Sequence, residues 1–172
     1  MKQVKFICIG LGMLSFMLLT NCGDAGVQIK VGGDYETVFN ANQAGLEFLQ
    51  SYSESASTTV NSEIREYGDF ITQLEIKSFT ITMKDFDNTV TGEIIIDLSG
   101  STFSTDGSVT ITDGAVIPLT PDQANGLEIA SNRLQQGDVS IGLTLNTDSP
   151  IGDNAFDMNL AILAFATVQV DE

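Results

Sequence analysis

Residues 156–170 read FDMNLAILAFATVQV, and apolar residues occupy every second position of this stretch. A period of two places alternate side chains on opposite faces of an extended chain, so the stretch predicts a long β-strand with one buried face. The other face is polar at both ends and apolar in its middle, which predicts a central strand that passes beneath another element. This strand favours a β-rich fold, because it needs further strands beside it.

Several shorter segments alternate in the same way and are separated by turn signals such as Asp113-Gly114. The clearest are residues 27–31, 74–83, 90–98, 109–112 and 139–145. A change of phase near Lys77-Ser78 predicts a β-bulge or a bend. About eight short strands predict an all-β fold, namely a two-sheet antiparallel (Ig-like) sandwich with one short helix; a small β-barrel is the alternative. We expect strands 139–145 and 156–170 to pair as a hairpin in the core.

The one clear helix is predicted over residues 121–136. Thr120 has the chemistry of an N-cap, Pro121 suits the first helical position, and Gln123 completes a capping box. Four residues at helical spacing share the face expected to pack on the core: Ala124, Leu127, Ser131 and Leu134.

The first residues of the chain have the features of a targeting segment. Lys2 and Lys5 precede the uncharged run Phe6–Leu19, which is too short for a permanent transmembrane helix and is typical of a signal peptide. The next residues, Leu19-Thr20-Asn21-Cys22, resemble the lipobox of bacterial lipoprotein precursors. In that family cleavage occurs just before a cysteine whose sulfur carries a diacylglyceryl group.

The resemblance implies a domain organisation and a location. Residues 1–21 would be a lipoprotein signal peptide, and residues 22–26 would comprise the lipidated Cys22 and a short tether. Residues 27–172 are expected to form a single β-sandwich domain. The arrangement is similar to that of small secreted lipoproteins of bacteria, which implies a lipid anchor in a bacterial membrane, with the domain facing the periplasm or the cell surface.

The composition excludes several functional classes. The 172 residues include 7 Lys+Arg, 23 Asp+Glu and no His, for a formal net charge of −16. Without His, there is no Ser-His-Asp or Cys-His catalysis and no imidazole metal site. The acidic charge argues against nucleic acid as a partner, because phosphates call for a basic surface. The expected partners are the membrane, through the lipid anchor, and a protein or polysaccharide of unknown identity.

Two acidic segments are candidate calcium sites. Asp85 and Asp87 lie in the segment 85–88, and Asp148 and Asp153 share the segment 146–154. Calcium takes six to eight oxygen ligands, and loops rich in Asp and Asn can supply several of them. The same residues are common in turns, because their side chains bond to nearby backbone groups. Turn formation is therefore the simpler interpretation, and calcium is the one cofactor that the sequence suggests.

Aromatic residues in or near loops form a second candidate group, consisting of Tyr35, Tyr52, Phe86 and Phe103. Gathered at one end of the fold they could anchor a partner. Alternatively, each of them fills the end of the core. The second interpretation is favoured, since buried aromatic residues are the ordinary case in a small domain.

No catalytic set of residues stands out, so we expect no enzyme. The expected function is that of a membrane-anchored lipoprotein of the cell envelope, acting as a non-catalytic interaction or structural module. A calcium-stabilised, adhesion-type binding domain is the first alternative. A glycoside hydrolase that uses two carboxylates is the second, although the absence of Trp removes the most common aromatic platform for sugars.

Overall fold

The computed structural model of the protein describes residues 27–42, 45–57, 70–135, 139–152 and 154–170. These residues form nine β-strands, one α-helix and a short 3-10 helix. The strands are β1 (Val27–Ala41), β2 (Ser51–Ser57), β3 (Ile71–Lys84), β4 (Thr89–Leu98), β5 (Ser101–Ser104), β6 (Val109–Thr112), β7 (Val116–Pro121), β8 (Ser140–Thr147) and β9 (Phe156–Val170). The 3-10 helix is Leu46–Phe48, and the α-helix, α1, is Gly126–Gln135.

The targeting residues predicted from the sequence, including Cys8 and Cys22, lie outside the described residues. Within the described ranges, no helix is long and apolar enough to cross a bilayer.

The strands form one antiparallel path in the order β1-β9-β3-β7-β5-β4-β8-β2, with β6 beside β4. The path turns at β7, which pairs with β3 through Val116–Leu119 and with β5 through Thr120 and Pro121. Because one strand belongs to both layers, the sheet curls over itself as a half-barrel. The prediction of an all-β antiparallel fold with one short helix is confirmed, and the curled sheet combines features of the sandwich and of the barrel.

The core lies between the two layers. Phe79 of β3 stacks on Phe103 of β5 with ring centroids 3.9 Å apart, so the layers meet directly. The alternate residues of β9 from Phe156 to Val168 are all buried, as the sequence predicts. β9 is also central, since it pairs with β1 on one side and with β3 on the other.

The opposite face of β9 differs from the prediction. Leu163, in the apolar middle of that face, is 38% exposed, and the described part of the chain places no element over it. Phe165 lies instead against Gly32 of β1, where an added Cβ would stand 2.9 Å from Cε1 of the ring. The sheet accommodates this aromatic ring by having a glycine beside it.

The predicted hairpin between strands 139–145 and 156–170 is wrong. β8 pairs with β4 and β2, whereas β9 pairs with β1 and β3, so the two strands lie in different layers. Length is the physical reason. β9 has 15 residues and is matched by β1 with 15 and β3 with 14, whereas β8 has 8. Pairing with β8 would leave about half of the β9 backbone groups without partners on that side.

The predicted helix over 121–136 also begins too early. Thr120 and Pro121 belong to strand β7 and pair with β5, and the Asp122 N–H donates to the carbonyl of Thr102 at 3.0 Å. These ladder bonds satisfy the backbone groups that an N-cap would otherwise serve. The helix therefore starts later, at Gly126. A glycine suits this position because the helix packs closely on the end of β7: an added Cβ would lie 2.9 Å from Cβ of Pro121. Its buried residues are Gly126, Ala130, Ser131 and Leu134.

Strand β3 contains the predicted bulge. Its pairing with β9 shifts between Ile76 and Ser78, and a second shift lies between Ile71 and Gln73. Helix α1 packs over both irregularities. The Ser131 hydroxyl accepts a hydrogen bond from the Ile76 N–H at 3.1 Å, and the Gln135 side chain donates to the carbonyl of Ile71 at 3.2 Å. The helix thus supplies the hydrogen bonds that a bulge removes from the ladder.

Candidate functional site

The end of the sheet opposite to α1 is built from connecting segments, and we call it the loop end. Its described residues are 42, 45–50, 85–88, 113–115, 148–152 and 154–155, together with the adjoining strand ends at 40–41, 84 and 156–157. The Ile151 N–H donates to the carbonyl of Leu49 at 2.9 Å, and the Phe86 N–H donates to the Asp113 carboxylate at 3.3 Å. Asn88 donates from Nδ2 to the carbonyls of Pro150 and Ile151 at 3.2 and 3.3 Å. The structure therefore brings together the two acidic segments named in the sequence.

Two of the predicted calcium ligands accept hydrogen bonds within the loop end. Oδ2 of Asp87 accepts from Nδ2 of Asn154 at 2.6 Å, and Oδ1 of Asp148 accepts from the Thr91 N–H at 3.2 Å. Both contacts tie one loop to another part of the chain, which is the structural use of Asp in turns. Asp85 is exposed and has a φ of 57°, a left-handed conformation that Asp tolerates better than most residues.

Asp153 lies outside the described residues. Among the residues that the structure does describe, no three acidic side chains stand close enough to hold one metal ion. The four-residue calcium site stays a prediction.

A shallow cavity of about 330 Å³ opens at the loop end. Its walls consist of Asn40, Ala41, Asn42, Asp85, Ala155, Phe156 and Asp157. Asn40 and Asp157 face each other in the β1–β9 register, and Nδ2 of Asn40 donates to Oδ1 of Asp157 at 2.7 Å. Carboxylates and amides of this kind can hydrogen-bond to hydroxyl or amino groups of a ligand. The pair was not singled out from the sequence, because its members are 117 positions apart and each resembles an ordinary strand-end residue.

The two ends of the strand path meet beside this cavity. The Tyr52 hydroxyl in β2 donates to the Glu54 carboxylate and lies 3.3 Å from the carbonyl of Asn40 in β1. Burial raises the pKa of Tyr52 well above its ordinary value, and the Glu54 carboxylate raises it further, because each disfavours a phenolate. Tyr52 thus lies where the two ends of the curled sheet come close together.

The four aromatic residues named in the sequence fill the core. Tyr35, Tyr52, Phe86 and Phe103 are each at most 6% exposed. At the loop end the rings of Phe86 and Phe156 meet edge to face at 4.9 Å, and Tyr52 lies 6.3 Å from Phe156. All four are therefore core residues, and the alternative that they anchor a partner is wrong. Tyr52 and Phe86 fill the end of the core as expected, whereas Tyr35 lies in the middle of β1 and Phe103 lies between the two layers.

A different aromatic residue is exposed at the loop end. Phe48 is 81% exposed, although residues 46–49 have the composition of a short strand. The segment forms a 3-10 helix because Gly45 adopts a φ of 90° just before it, which turns the chain and directs Phe48 outward. Gly45 was the local signal for this turn.

No protein-family model matches the chain, and no curated protein matches it. The chain has a low level of similarity to two solved structures from viruses. One is from Desmodium yellow mottle tymovirus, with a TM-score of 0.36 and 11% identity over 100% of this chain and 98% of that chain. The other is the cryo-EM structure of mud crab tombus-like virus, with a TM-score of 0.38 and 12% identity over 100% of this chain and 95% of that one. Likeness at this level identifies neither a family nor a function.

Proposed function

We propose that the protein is a lipoprotein of the bacterial cell envelope, anchored through Cys22, whose β-domain acts as a non-catalytic interaction or structural module in the periplasm or at the cell surface. The observation that carries this proposal is the lipobox-like sequence Leu19-Thr20-Asn21-Cys22, which stands four residues before Val27, where the described part of β1 begins. The four intervening residues span at most about 15 Å. Such a tether would hold a folded strand close to the membrane.

Two features support the non-catalytic part of the proposal. The space between the layers is filled by apolar side chains, which leaves the surface for recognition. Asp87 and Asp148 already accept hydrogen bonds that connect segments of the loop end. A pair of carboxylates that hydrolyses a glycoside would need to face a substrate instead.

Metabolic labelling with an alkyne-bearing fatty acid tests the anchor. The wild-type protein and the Cys8→Ser variant should both incorporate the label, because Cys8 lies in the segment that is removed. The Cys22→Ser variant should lose it. Labelling that persists in Cys22→Ser, or none in the wild type, would reject the anchor, and turnover of a glycoside or an ester would reject the non-catalytic assignment.

A calcium-stabilised binding domain is the second candidate. It is favoured by the hydrogen bonds that join Asp87 and Asn88 to Asn154 and Pro150, since a shared site would require the two segments to lie together. A ligand at 100 times its Kd stabilises the native state by about 2.7 kcal/mol, which corresponds to a Tm rise of several degrees for a domain of this size. Thermal melts in EGTA and in excess calcium measure that shift. A shift that survives in the Asp148→Asn/Asp153→Asn variant would exclude the named loop, and identical melts would exclude calcium.

A further inference from the structure

Phe48 is the most exposed of the large apolar side chains that the structure describes, at 81%, and the backbone around it is firmly held. The amides of Phe48 and Leu49 donate to the carbonyls of Gly45 and Leu46 at 3.0 Å, which closes the 3-10 turn. Leu46, two positions before Phe48, is 2% exposed and fixes the turn to the core. Phe48 is thus presented on an ordered turn.

Further hydrogen bonds fix the chain just after Phe48. The carbonyl of Leu49 accepts from the Ile151 N–H at 2.9 Å, and the carbonyl of Gln50 accepts from the Thr147 N–H at 2.8 Å. An aromatic side chain on a preorganised backbone loses little conformational entropy when a partner buries it, so such residues make efficient binding anchors.

The loop end, to which Phe48 belongs, is acidic. It carries the carboxylates of Asp85, Asp87, Asp113, Asp148 and Asp157. Among the described basic residues, Lys84 alone lies at this end. Arg133 is in the helix, and Lys30 and Lys77 are in the half of the sheet nearer to it. A partner that covers the loop end and buries Phe48 therefore also faces the negative charge of these carboxylates.

We propose that the loop end docks a protein partner, with Phe48 inserted into an apolar pocket whose rim carries Lys or Arg side chains. The proposal rests on the function as an interaction module and adds the position of the surface and the chemistry of the partner. An anionic membrane surface would be repelled by the same carboxylates. Two loop ends of identical chains would repel each other as well, because both are acidic.

Site-specific photocrosslinking in the cells that produce the protein tests this assignment. Benzoylphenylalanine replaces Phe48 in one full-length variant and Phe70 in another; Phe70 is 54% exposed and lies at the start of β3, at the opposite end of the sheet. We expect a discrete protein adduct from position 48 and none from position 70. Mass spectrometry should map the adduct to a partner segment that contains Lys or Arg.

The contribution of charge is tested in the same cells with the Asp85→Asn/Asp148→Asn variant, which retains an acceptor oxygen at each position. The adduct from position 48 should decrease at least tenfold, while the Tm of the variant changes little. The proposal would be overturned if the adduct contained a lipid, another copy of the chain or an acidic segment. It would also be overturned if position 48 gave no adduct, if both positions gave equal adducts, or if the Asp85→Asn/Asp148→Asn variant gave as much adduct as the wild type. A position-48 adduct in a chain that takes up no fatty acid would retain the docking surface and reject the anchor.

Discussion

The two ends of the curled sheet are closed in different ways. At the end covered by α1, two irregularities in β3 lie beneath the helix, and the side chains of Ser131 and Gln135 satisfy backbone groups of Ile76 and Ile71. At the loop end, closure comes from the aromatic contacts of Phe156 and from hydrogen bonds between loops. One end is closed by a regular element and the other by side chains drawn from distant parts of the chain.

This difference separates groups that serve the fold from groups available for recognition. The helix buries Ala130 and Leu134, and its polar contacts with β3 complete the backbone hydrogen bonding there. The loop end buries its aromatic cluster but leaves Phe48 and several carboxylates at the surface. Substitutions at both kinds of residue can test this difference, because residues that serve the fold should change the free energy of unfolding and residues available for recognition should not.

The largest effect is expected at the aromatic cluster of the loop end. Phe156→Ala should lower the free energy of unfolding by about 3–5 kcal/mol, because it removes a ring that is 3% exposed and contacts both Phe86 and Tyr52. Phe165→Ala, on the opposite face of the same strand, is the matched control and should cost less. Urea unfolding followed by circular dichroism gives both values. Equal losses of unfolding free energy in the two variants would show that the aromatic cluster at the loop end does not stabilise the core more than the opposite face of β9 does.

A smaller effect is expected where the helix meets the bulge. Ser131→Ala removes the acceptor for the Ile76 N–H and should cost about 1–3 kcal/mol, since a buried donor is left without a partner. Asn132→Ala, at the next and exposed position of the helix, should change stability by no more than about 0.5 kcal/mol. If the two variants unfold at the same urea concentration, the hydroxyl does not stabilise the bulge.

Alkaline pH should lower the stability of the fold through Tyr35, which lies in the middle of β1 between the helix end and the loop end of the sheet. Burial raises the pKa of Tyr35 from about 10 to about 12, so the folded state holds its proton more tightly than the unfolded state does. The resulting stabilisation is complete below pH 10 and is lost as the pH rises from about 10 to about 12. Thermal melts across this range should fall less steeply for Tyr35→Phe than for the wild type. Parallel curves would contradict the assignment.

The smallest effect on stability is expected at Phe48. Phe48→Ala should change the free energy of unfolding by no more than about 0.5 kcal/mol, because the side chain is already largely in water. Leu46→Ala, two positions away in the same 3-10 helix, should cost about 2–5 kcal/mol, because Leu46 is 2% exposed. A large loss in Phe48→Ala would mean that Phe48 belongs to the core and would remove the anchor of the proposed docking surface.

Local patterns in the sequence were sufficient for several elements of the fold. The alternation in 156–170 predicted the buried face of β9, and the change of phase at Lys77-Ser78 predicted the bulge in β3. Both features follow from the period of two, which depends on neighbouring residues alone. The all-β class follows for the same reason.

The pairing of strands and the assembly of the loop end were decided by the tertiary structure. Alternation specifies which face of a strand is buried but not which strand lies beside it, so the partners of β9 depended on matching long strands with long strands. Thr120 and Pro121 suit a helix start locally, yet the ladder with β5 extends β7 through them. The contacts of Asn40 with Asp157 and of Asp87 with Asn154 join residues far apart in the chain. Such residues are brought together by the hydrogen bonding between strands and by burial of the core, and neither can be deduced from the residues next to them in the sequence.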